Sequence, residues 1–337
     1  MTMEDQDHIA FIGVGVMGYA MASNIRKKMS PKARLYVNDV KRSASERFAR
    51  EFGRHGSIHV VDSAKEAATH AKVVISIVPG AADVRQVFLD PVSGVVAAPT
   101  DSDRLMLDCS TIDCQSSRTV GEKLRDAGSG TFVDAPVSGG LPGAQAGTLS
   151  FLVGHSPPSD SDPMSRRIEA VISMMGSPDK FFWCNSPGAG LAVKIANNYI
   201  SCTTLLTIAE AMAIGVRQGV DPSLLYNCIK NSTGQSWMCD NVQPVPYVLP
   251  HVPSSNSYKP GFKSQMMIKD ISLGVEAGRE VGIEPRTGET ALKVFEQAAR
   301  DPRCIDRDGS SVYLWLTGDT TEDYAKEQGR EGAVSNL

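Results

Sequence analysis

Twelve residues, Gly188-Ala189-Gly190-Leu191-Ala192-Val193-Lys194-Ile195-Ala196-Asn197-Asn198-Tyr199, open the stretch around which this chain is organised. From Leu191 to about Arg217 the residues are apolar nearly all round, with no proline and a single late glycine. This pattern predicts one helix, about 39 Å long at 1.5 Å per residue, that protein covers on every side. Such a helix is expected to form a spine of the molecule.

Three polar residues, Lys194, Asn197 and Asn198, interrupt this apolar surface near the start of the helix. Residues three and four apart lie on one face of a helix, so these side chains converge. A buried ammonium group is costly unless it has a partner or a shifted pKa. Either Lys194 and Asn198 form part of a site, or the lysine reaches solvent along its apolar stem.

Length and composition limit the possible classes of protein. The chain has 337 residues, enough for two domains, and its 42% hydrophobic and 21% charged residues are typical of a soluble globular protein. The formal net charge is −4 and we find no basic block. Neither nucleic acid nor a membrane is therefore an expected partner, and no uncharged apolar run reaches the roughly 18 residues of a membrane span.

Cysteine usage and the two chain ends bear on compartment. The seven cysteines form no CxxC pair and have no zinc-finger spacing to histidine, which indicates reduced thiols and no metal site. The first seven residues are acidic and lack arginine, which argues against a presequence. We expect a soluble cytoplasmic protein; the ending Ser335-Asn336-Leu337 is only weakly similar to a peroxisomal signal.

A glycine-rich motif lies near the N-terminus. The apolar residues 8–12 lead into Gly13-Val14-Gly15-Val16-Met17-Gly18, and a helical pattern follows to about Lys28. Glycines in this order allow a tight turn, close approach of a pyrophosphate to the backbone, and close packing of helix on strand. The helix N-terminus adds amides and a positive dipole, so all six residues are predicted to bind a dinucleotide.

An acidic residue follows the next apolar segment. Asp39 comes after residues 34–37, at the distance where an acid can bind the ribose hydroxyls of NAD. Its charge would repel a 2′-phosphate, so NAD is expected rather than NADP. Two alternatives stay open: Asp39 caps the helix after Lys41, or Lys41 and Arg42 accommodate a phosphate.

Further strand-like runs at residues 73–78 and 105–107 alternate with amphipathic stretches. This alternation predicts an α/β, doubly wound parallel sheet of the Rossmann type. Ligands bind beyond the carboxyl ends of such strands, so Val78, Pro79 and Thr111 are expected to face the cofactor. Residues 131–133 form another short strand, after which Ser138, Gly139 and Gly140 offer a hydroxyl and open amides to a carboxylate; a plain turn is the alternative.

Together these motifs resemble the β-hydroxyacid dehydrogenase family. The match covers residues 11–18, then Asp134-Ala135-Pro136-Val137-Ser138-Gly139-Gly140 continuing to 147–149, then 188–198 and Lys269-Asp270. The resemblance implies a dinucleotide-binding domain (1–187) and an all-helical substrate and dimerisation domain that includes the spine (188–318). The polar tail (319–337) has no counterpart in the family. The tail, with Glu322, Asp323, Lys326, Glu327 and Arg330, is expected to be solvated or disordered.

Roles for individual residues follow from the same resemblance. It implies that Lys194 is the catalytic lysine, Asn198 its substrate-orienting neighbour, and Ser138, Gly139 and Gly140 the substrate-carboxylate loop. Thr111 and Lys269 are implied as cofactor contacts near the nicotinamide, while no role is assigned to Asp270. A lysine serves here as general base without a metal, provided that burial and the nicotinamide charge lower its pKa.

The stretch from Gln243 to Phe262 resembles the branch of the family that oxidises 3-hydroxyisobutyrate in valine catabolism. Segments around Trp237 and Phe262 are expected to cover the substrate's methyl group. Alternatives are 3-hydroxypropionate, glycerate or tartronate semialdehyde, serine, or a non-catalytic NAD-binding module. Asn197-Asn198, where 6-phosphogluconate dehydrogenases have histidine-asparagine, argues against that class. The family also implies a homodimer or homotetramer and, by analogy, a mitochondrial location.

Overall fold

The chain folds into two compact units that divide between Lys194 and Ile195 in a computed structural model, which describes residues 8–327. The division falls inside the spine helix. The predictions made from the first seven residues, from Arg330 and from the ending Ser335-Asn336-Leu337 concern residues outside the described range.

The first unit is organised around a parallel sheet with helices, as the sequence predicts. In chain order its six strands are β1 (Ile9–Ile12), β2 (Leu35–Asn38), β3 (Ile58–Val60), β4 (Val73–Ser76), β5 (Leu105–Asp108) and β6 (Thr131–Asp134), of which β3 was not predicted. Within the sheet they lie in the order β3-β2-β1-β4-β5-β6. The order reverses between β1 and β4, which places the ligand crevice at their carboxyl ends.

Helices cover both faces of this sheet. They are α1 (Val16–Lys28), α2 (Arg42–Phe52), α3 (Ala64–His70), α4 (Ala81–Leu89) and α5 (Cys114–Asp126). Ile9 and Phe11 pack on the face covered by α1 and α2, whereas Ala10 and Ile12 pack on the face covered by α3, α4 and α5. Burial on both faces explains why the strands are continuous apolar runs.

The first unit also contains a small second sheet that the sequence did not predict. Its strands are β7 (Val137–Ser138), β8 (Leu149–Val153) and β9 (Gly176–Trp183), accompanied by α6 (Gly140–Ala146) and α7 (Pro163–Ile172). β8 pairs antiparallel with β7 and parallel with β9. The sheet escaped prediction because β7 has only two residues and several residues of β9 are exposed, so neither shows a clear apolar pattern.

The spine helix is α8 (Ala189–Arg217), and its predicted extent is confirmed. The prediction that protein covers it on every side is wrong for the single chain, because Val193, Ile200 and Ile214 are 45%, 64% and 60% exposed. The core of the second unit covers one face of the helix and leaves this stripe open. By length and composition alone α8 could also cross a membrane, a property that core helices of soluble proteins share.

The second unit, over its described residues, is helical, as the family resemblance implies. Its helices after α8 are α9 (Pro222–Lys230), α10 (Trp237–Asn241), α11 (Ser264–Glu280), α12 (Arg286–Ala298), α13 (Val312–Thr317) and α14 (Thr321–Glu327). Glycines allow the closest packing: a Cβ on Gly274 or Gly288 would lie 2.6 or 2.3 Å from the Tyr199 ring. The Tyr199 hydroxyl accepts the N–H of Gly288 at 2.8 Å.

The first part of the polar tail differs from expectation. Glu322 and Asp323 are exposed, as predicted, but they belong to helix α14. The half-buried Tyr324 packs against the core of the second unit and donates its hydroxyl to Asp319 at 2.8 Å. One amphipathic aromatic residue therefore anchors this segment, a signal that the surrounding charges concealed.

Candidate active site

The glycine turn lies at the carboxyl end of β1. A Cβ on Gly13 would lie 2.3 Å from the Ile77 carbonyl oxygen, and one on Gly18 would lie 1.9 Å from the Gly13 oxygen. Gly15 is different, because a Cβ there meets no heavy atom within 4 Å. The backbone at Gly15 is thus open to a ligand, just before α1 begins at Val16 with no acidic residue in its first turn. This cradle fits a dinucleotide pyrophosphate.

Asp39 links the end of β2 to the glycine turn. Its Oδ2 accepts the N–H of Val14 at 2.8 Å, and its Oδ1 accepts the N–H of Lys41 at 2.8 Å. The carboxylate is therefore beside the predicted pyrophosphate cradle. It does not cap α2, because the N-cap of that helix is Lys41 and no side chain among the described residues accepts its first N–H groups. Arg42, to which the other alternative assigns a phosphate, forms ion pairs with Glu46 and Asp62.

Val78, Pro79 and Thr111 follow β4 and β5 and lie at the same edge of the sheet, where the sequence places them. The N–H of Val78 donates to the Ser110 hydroxyl at 2.9 Å. That hydroxyl donates in turn to Asp108 at 2.6 Å. The loop that carries Val78 and Pro79 is thus tied to the next strand through a serine and a buried carboxyl group.

Asp108 is a buried group that sequence reasoning missed. Besides Ser110, its Oδ1 accepts the Ser76 hydroxyl at 2.8 Å, whereas Oδ2 has no hydrogen-bond partner among the described residues. Burial raises the pKa of Asp108 to about 6; the serine hydrogen bonds oppose this rise and the nearby Asp134 adds to it. A carboxyl group with this pKa is ionised at neutral pH at a cost in stability.

This pKa predicts a pH-dependent gain in stability for Asp108→Asn. A carboxyl group whose pKa is raised on folding favours the folded state most below about pH 4, and this contribution is lost as pH rises through about 6. The free energy of unfolding of the variant, relative to wild type, should therefore rise by about 2–3 kcal/mol between about pH 4 and about pH 7.5. Urea unfolding at both pH values measures it.

The exposed Asp103 provides a matched control. Asp103→Asn makes the same substitution at an exposed site and therefore reports the effect of replacing aspartate by asparagine without burial. A difference between Asp108→Asn and wild type that does not change with pH would show that the Asp108 carboxyl keeps an ordinary pKa.

Ser138, Gly139 and Gly140 lie where β7 ends and α6 begins. Gly139 and Gly140 have φ values of +129° and +59° and are exposed, whereas Ser138 is half-buried. The positive φ values require glycine and turn the backbone sharply at this point. The segment thus presents a hydroxyl and exposed backbone, as the predicted carboxylate loop requires.

Lys194 and Asn198 lie one turn apart on α8, and each is only 9% exposed. The Asn198 amide donates to Asp270 Oδ2 at 2.6 Å and accepts from Asn197 at 3.3 Å. Asp270 is 3% exposed, and its Oδ1 lies 3.2 Å from the Lys269 ammonium. Asp270, for which the sequence assigned no role, therefore holds the Asn198 side chain in one orientation.

Two aromatic side chains of the second unit are available to a ligand. Trp237 is 65% exposed and Phe262 is 39% exposed. The buried Asp308 accepts the backbone N–H groups of Gly261 and Phe262 at 3.1 and 2.9 Å, which fixes the position of Phe262. That these rings cover the substrate's methyl group stays a prediction, as does the cofactor contact of Lys269.

The described residues offer no cluster of three His, Cys, Asp or Glu side chains that could hold a metal ion. All seven cysteines are free, and Cys109, Cys202, Cys239 and Cys304 are buried. Neither disulfides nor a metal-ligating cluster thus contributes to the fold in residues 8–327.

Two family models match the chain. Residues 8–184 match the NAD binding domain of 6-phosphogluconate dehydrogenase, and residues 188–316 match the NAD-binding domain of NADP-dependent 3-hydroxyisobutyrate dehydrogenase. The first match includes the glycine turn, Asp39 and Ser138, and the second includes Lys194, Asn198 and Lys269. The first unit is therefore an NAD-binding domain.

Similar proteins extend over nearly the whole chain. A 3-hydroxyisobutyrate dehydrogenase of Pseudomonas aeruginosa is 36% identical over 92% of this chain and 98% of its own length. The mitochondrial 3-hydroxyisobutyrate dehydrogenase of Homo sapiens is 31% identical over 93% of this chain and 88% of its own length. An NAD-dependent L-serine dehydrogenase of P. aeruginosa is 34% identical over 85% of this chain and 90% of its own length.

A solved structure agrees with these similarities. Mycobacterium tuberculosis 3-hydroxyisobutyrate dehydrogenase, determined with L-serine, has a TM-score of 0.79 and 32% identity, and the match covers 92% of this chain and 99% of that one. The fold, the NAD-binding domain and the similar proteins all indicate the same family. The chain belongs to the 3-hydroxyisobutyrate dehydrogenase family of NAD-dependent β-hydroxyacid dehydrogenases.

Proposed function

We propose that the protein oxidises the primary alcohol of 3-hydroxyisobutyrate, or of a closely similar short 3-hydroxy acid, to a semialdehyde. The observation that carries this proposal is the buried Lys194 with Asn198 one turn away on α8. Only the neutral amine of a lysine can accept a proton, and a hydrogen-bonding amide one helical turn away can orient the hydroxyl that gives it up. A lysine in this environment is suited to be a general base.

Lys194 Nζ takes the proton of the substrate hydroxyl in the proposed mechanism. NAD, when bound, would supply the acceptor for the hydride that leaves the carbon bearing this hydroxyl, so that this carbon becomes a carbonyl group. The Asn198 amide nitrogen donates to Asp270, and its oxygen, which accepts one hydrogen bond from Asn197, has a second lone pair that can orient a hydroxyl or an ammonium group. In the reverse direction protonated Lys194 returns its proton to the aldehyde oxygen.

Ser138, Gly139 and Gly140 bind the substrate carboxylate in this proposal. A hydroxyl and open backbone amides are suitable donors for a carboxylate. Because the acid group and the reacting alcohol are held at two fixed points, the number of carbons between them determines whether the hydroxyl reaches the base. The enzyme should therefore select 3-hydroxy acids over 2-hydroxy acids and longer homologues.

A kinetic panel tests this selection. We expect kcat/KM with NAD to be highest for 3-hydroxyisobutyrate, lower but measurable for 3-hydroxypropionate, and nearly zero for lactate. Losing one methyl contact costs only about 1–3 kcal/mol, whereas a shifted hydroxyl loses the base altogether. Lactate or a sugar phosphate turned over faster than 3-hydroxyisobutyrate would contradict the proposal.

The same panel with NADP tests the role of Asp39. The carboxylate beside the glycine turn should repel a 2′-phosphate, while Arg42 is engaged by Glu46 and Asp62. We therefore propose that NAD is preferred. Equal efficiency with NADP would assign control of this pocket to Lys41 or Arg42 instead.

L-Serine is a second candidate substrate, favoured by a specific observation. One relative is named an NAD-dependent L-serine dehydrogenase, and the M. tuberculosis structure is titled with L-serine. Serine has the same carboxylate and hydroxymethyl spacing, with an amino group in place of the methyl. A higher kcat/KM for serine than for 3-hydroxyisobutyrate would establish this alternative.

We also propose a homo-oligomer in which a second copy covers the open stripe of α8. Ile200, Thr207, Ala211 and Ile214 are exposed on one side of the helix. They form a stripe of uncharged residues, bordered by the exposed Glu210, that is complementary to itself in a two-fold arrangement. A dimer or tetramer is expected by light scattering, and Ile200→Glu should lower the measured mass. A monomeric wild type would contradict this proposal.

The protein is proposed to act inside the cell, in the cytoplasm or in mitochondria. Its seven free cysteines are consistent with a reducing compartment. The relatives include bacterial enzymes and enzymes named as mitochondrial. Cell fractionation with compartment markers tests this location, and recovery of the protein in the secreted fraction would contradict it.

A further inference from the structure

Asp134, the last residue of β6, makes two long-range contacts that no motif predicts. Its Oδ1 accepts the N–H of Gly188 at 2.7 Å and its Oδ2 accepts the N–H of Leu191 at 3.0 Å. The residue is 1% exposed. Both carboxylate oxygens are therefore bound to the start of α8, although more than 50 residues separate the partners in sequence.

These contacts replace a helix cap that the local sequence cannot supply. The residue that precedes α8 is Gly188, which has no side chain to accept the first free N–H groups of the helix. The carboxylate of Asp134 accepts two of them and also complements the positive end of the helix dipole. The Arg118 guanidinium adds a third tie, donating to the Pro187 carbonyl at 3.1 Å.

Glycines make room for this carboxylate. A Cβ on Gly154 would lie 2.0 Å from Asp134 Oδ1, and one on Gly190 would lie 2.9 Å from Oδ2 and 2.1 Å from the Leu152 carbonyl oxygen. No side chain larger than hydrogen fits at either position without displacing Asp134 or the backbone. The arrangement is thus built for a carboxylate in one place.

The position of Asp134 in the chain connects the two halves of the proposed site. Four residues after it comes Ser138, the first residue of the carboxylate loop. Three residues after its partner Leu191 comes Lys194, about 4.5 Å further along the helix axis. One side chain thus joins the strand that leads into the loop to the turn of α8 that leads to the lysine.

We propose that Asp134 is a positioning residue, which fixes the distance between the carboxylate loop at Ser138–Gly140 and the amine of Lys194 and so sets the chain length of acid that the enzyme accepts. This inference rests on the proposed function. It assigns Asp134 no contact with the substrate; the residue acts through the loop and through α8.

Asp134→Asn and Asp134→Ala test the inference in the full-length protein. An asparagine oxygen can accept one of the two N–H groups, and alanine can accept neither. With 3-hydroxypropionate we expect kcat to fall by about tenfold in the asparagine variant and about a hundredfold in the alanine variant, because small misplacements of reacting groups cost this much. The ratio of kcat/KM for 3-hydroxypropionate over 4-hydroxybutyrate should fall in both.

Four further measurements separate positioning from a general loss of structure. Asp162→Asn is the matched control, because Asp162 also accepts two N–H groups, of Met164 and Ser165, at a helix start in the same unit. Asp162→Asn should leave the ratio of kcat/KM for 3-hydroxypropionate over 4-hydroxybutyrate, here called the length ratio, unchanged. Gly154→Ala, which displaces the Asp134 carboxylate without removing it, should lower the ratio. Amide hydrogen exchange in residues 186–195 should be faster in the Asp134 variants than in wild type. The NAD affinity of these variants should stay within about threefold of the wild-type value.

The outcomes distinguish the inference from the function on which it rests. Wild-type protein that oxidises none of these acids would overturn the proposed function, and the inference with it. An active wild type whose Asp134 and Gly154 variants keep both kcat and the length ratio would overturn the inference alone. An equal loss of the length ratio in Asp162→Asn would also overturn it.

Discussion

Replacing Lys194 by alanine should lower turnover by about a hundredfold or more and leave NAD affinity almost unchanged. The lysine is 9% exposed on α8, whereas the cradle for NAD is built from the glycine turn on α1. Alanine is the best helix former, so the change should not disturb the spine. Loss of the base, and not loss of the helix or the cofactor, then accounts for the defect.

Chemical rescue gives this prediction its sharpest test. If the lysine acts as a base, small primary amines added to Lys194→Ala should restore part of the turnover, and the restored rate should follow the concentration of neutral amine. Lys194→Met, which keeps the apolar stem, should be as inactive as the alanine variant and should not be rescued. Lys230→Ala, an exposed lysine on α9, serves as control. A Lys194→Ala enzyme with turnover within threefold of wild type would refute the assignment.

Much of the fold could be predicted because its signals are local. The strands β1, β2, β4, β5 and β6 are each four residues long and contain runs of apolar residues that pack on both faces of the sheet, so neighbouring residues carry the same signal. The extent of helix α8 was predictable because a long apolar stretch without proline leaves few alternatives to a helix, although its burial was not. The small sheet β7–β9 was not, because short or half-exposed strands depend on their partners for stability.

The site shows the same division between local and distant information. The glycine turn, Asp39 and the serine-glycine loop stand in short motifs whose spacing carries their meaning. Asp134 and Asp270 stand in quoted motifs too, yet their partners Gly188 and Asn198 are 54 and 72 residues away. No spacing rule reports such contacts. The burial of Asp108 beside Ser76 likewise depends on strand register, which only the assembled sheet determines.

The glycine turn provides a test in which cofactor binding and stability should separate. Gly15 has an extended backbone with φ of −68°, which any residue can adopt, and a Cβ there meets no protein atom within 4 Å. Gly15→Ala should therefore fold normally and gain up to about 1 kcal/mol of stability from a less flexible unfolded chain. The added methyl would instead occupy the space of the pyrophosphate, so NAD affinity should fall at least tenfold.

Gly18→Ala is the informative contrast, because the added Cβ would lie 1.9 Å from the Gly13 carbonyl oxygen and 2.9 Å from Ile77. The collision is with the protein itself, so the variant should lose about 1–3 kcal/mol of stability in urea unfolding. NAD binding should weaken as well, but only because the turn is distorted. Calorimetric titration of NAD and urea unfolding on both variants measure the two effects separately. If Gly15→Ala binds NAD within threefold of wild type, the backbone at Gly15 does not approach the pyrophosphate, and the cradle must be assigned to other residues of the turn.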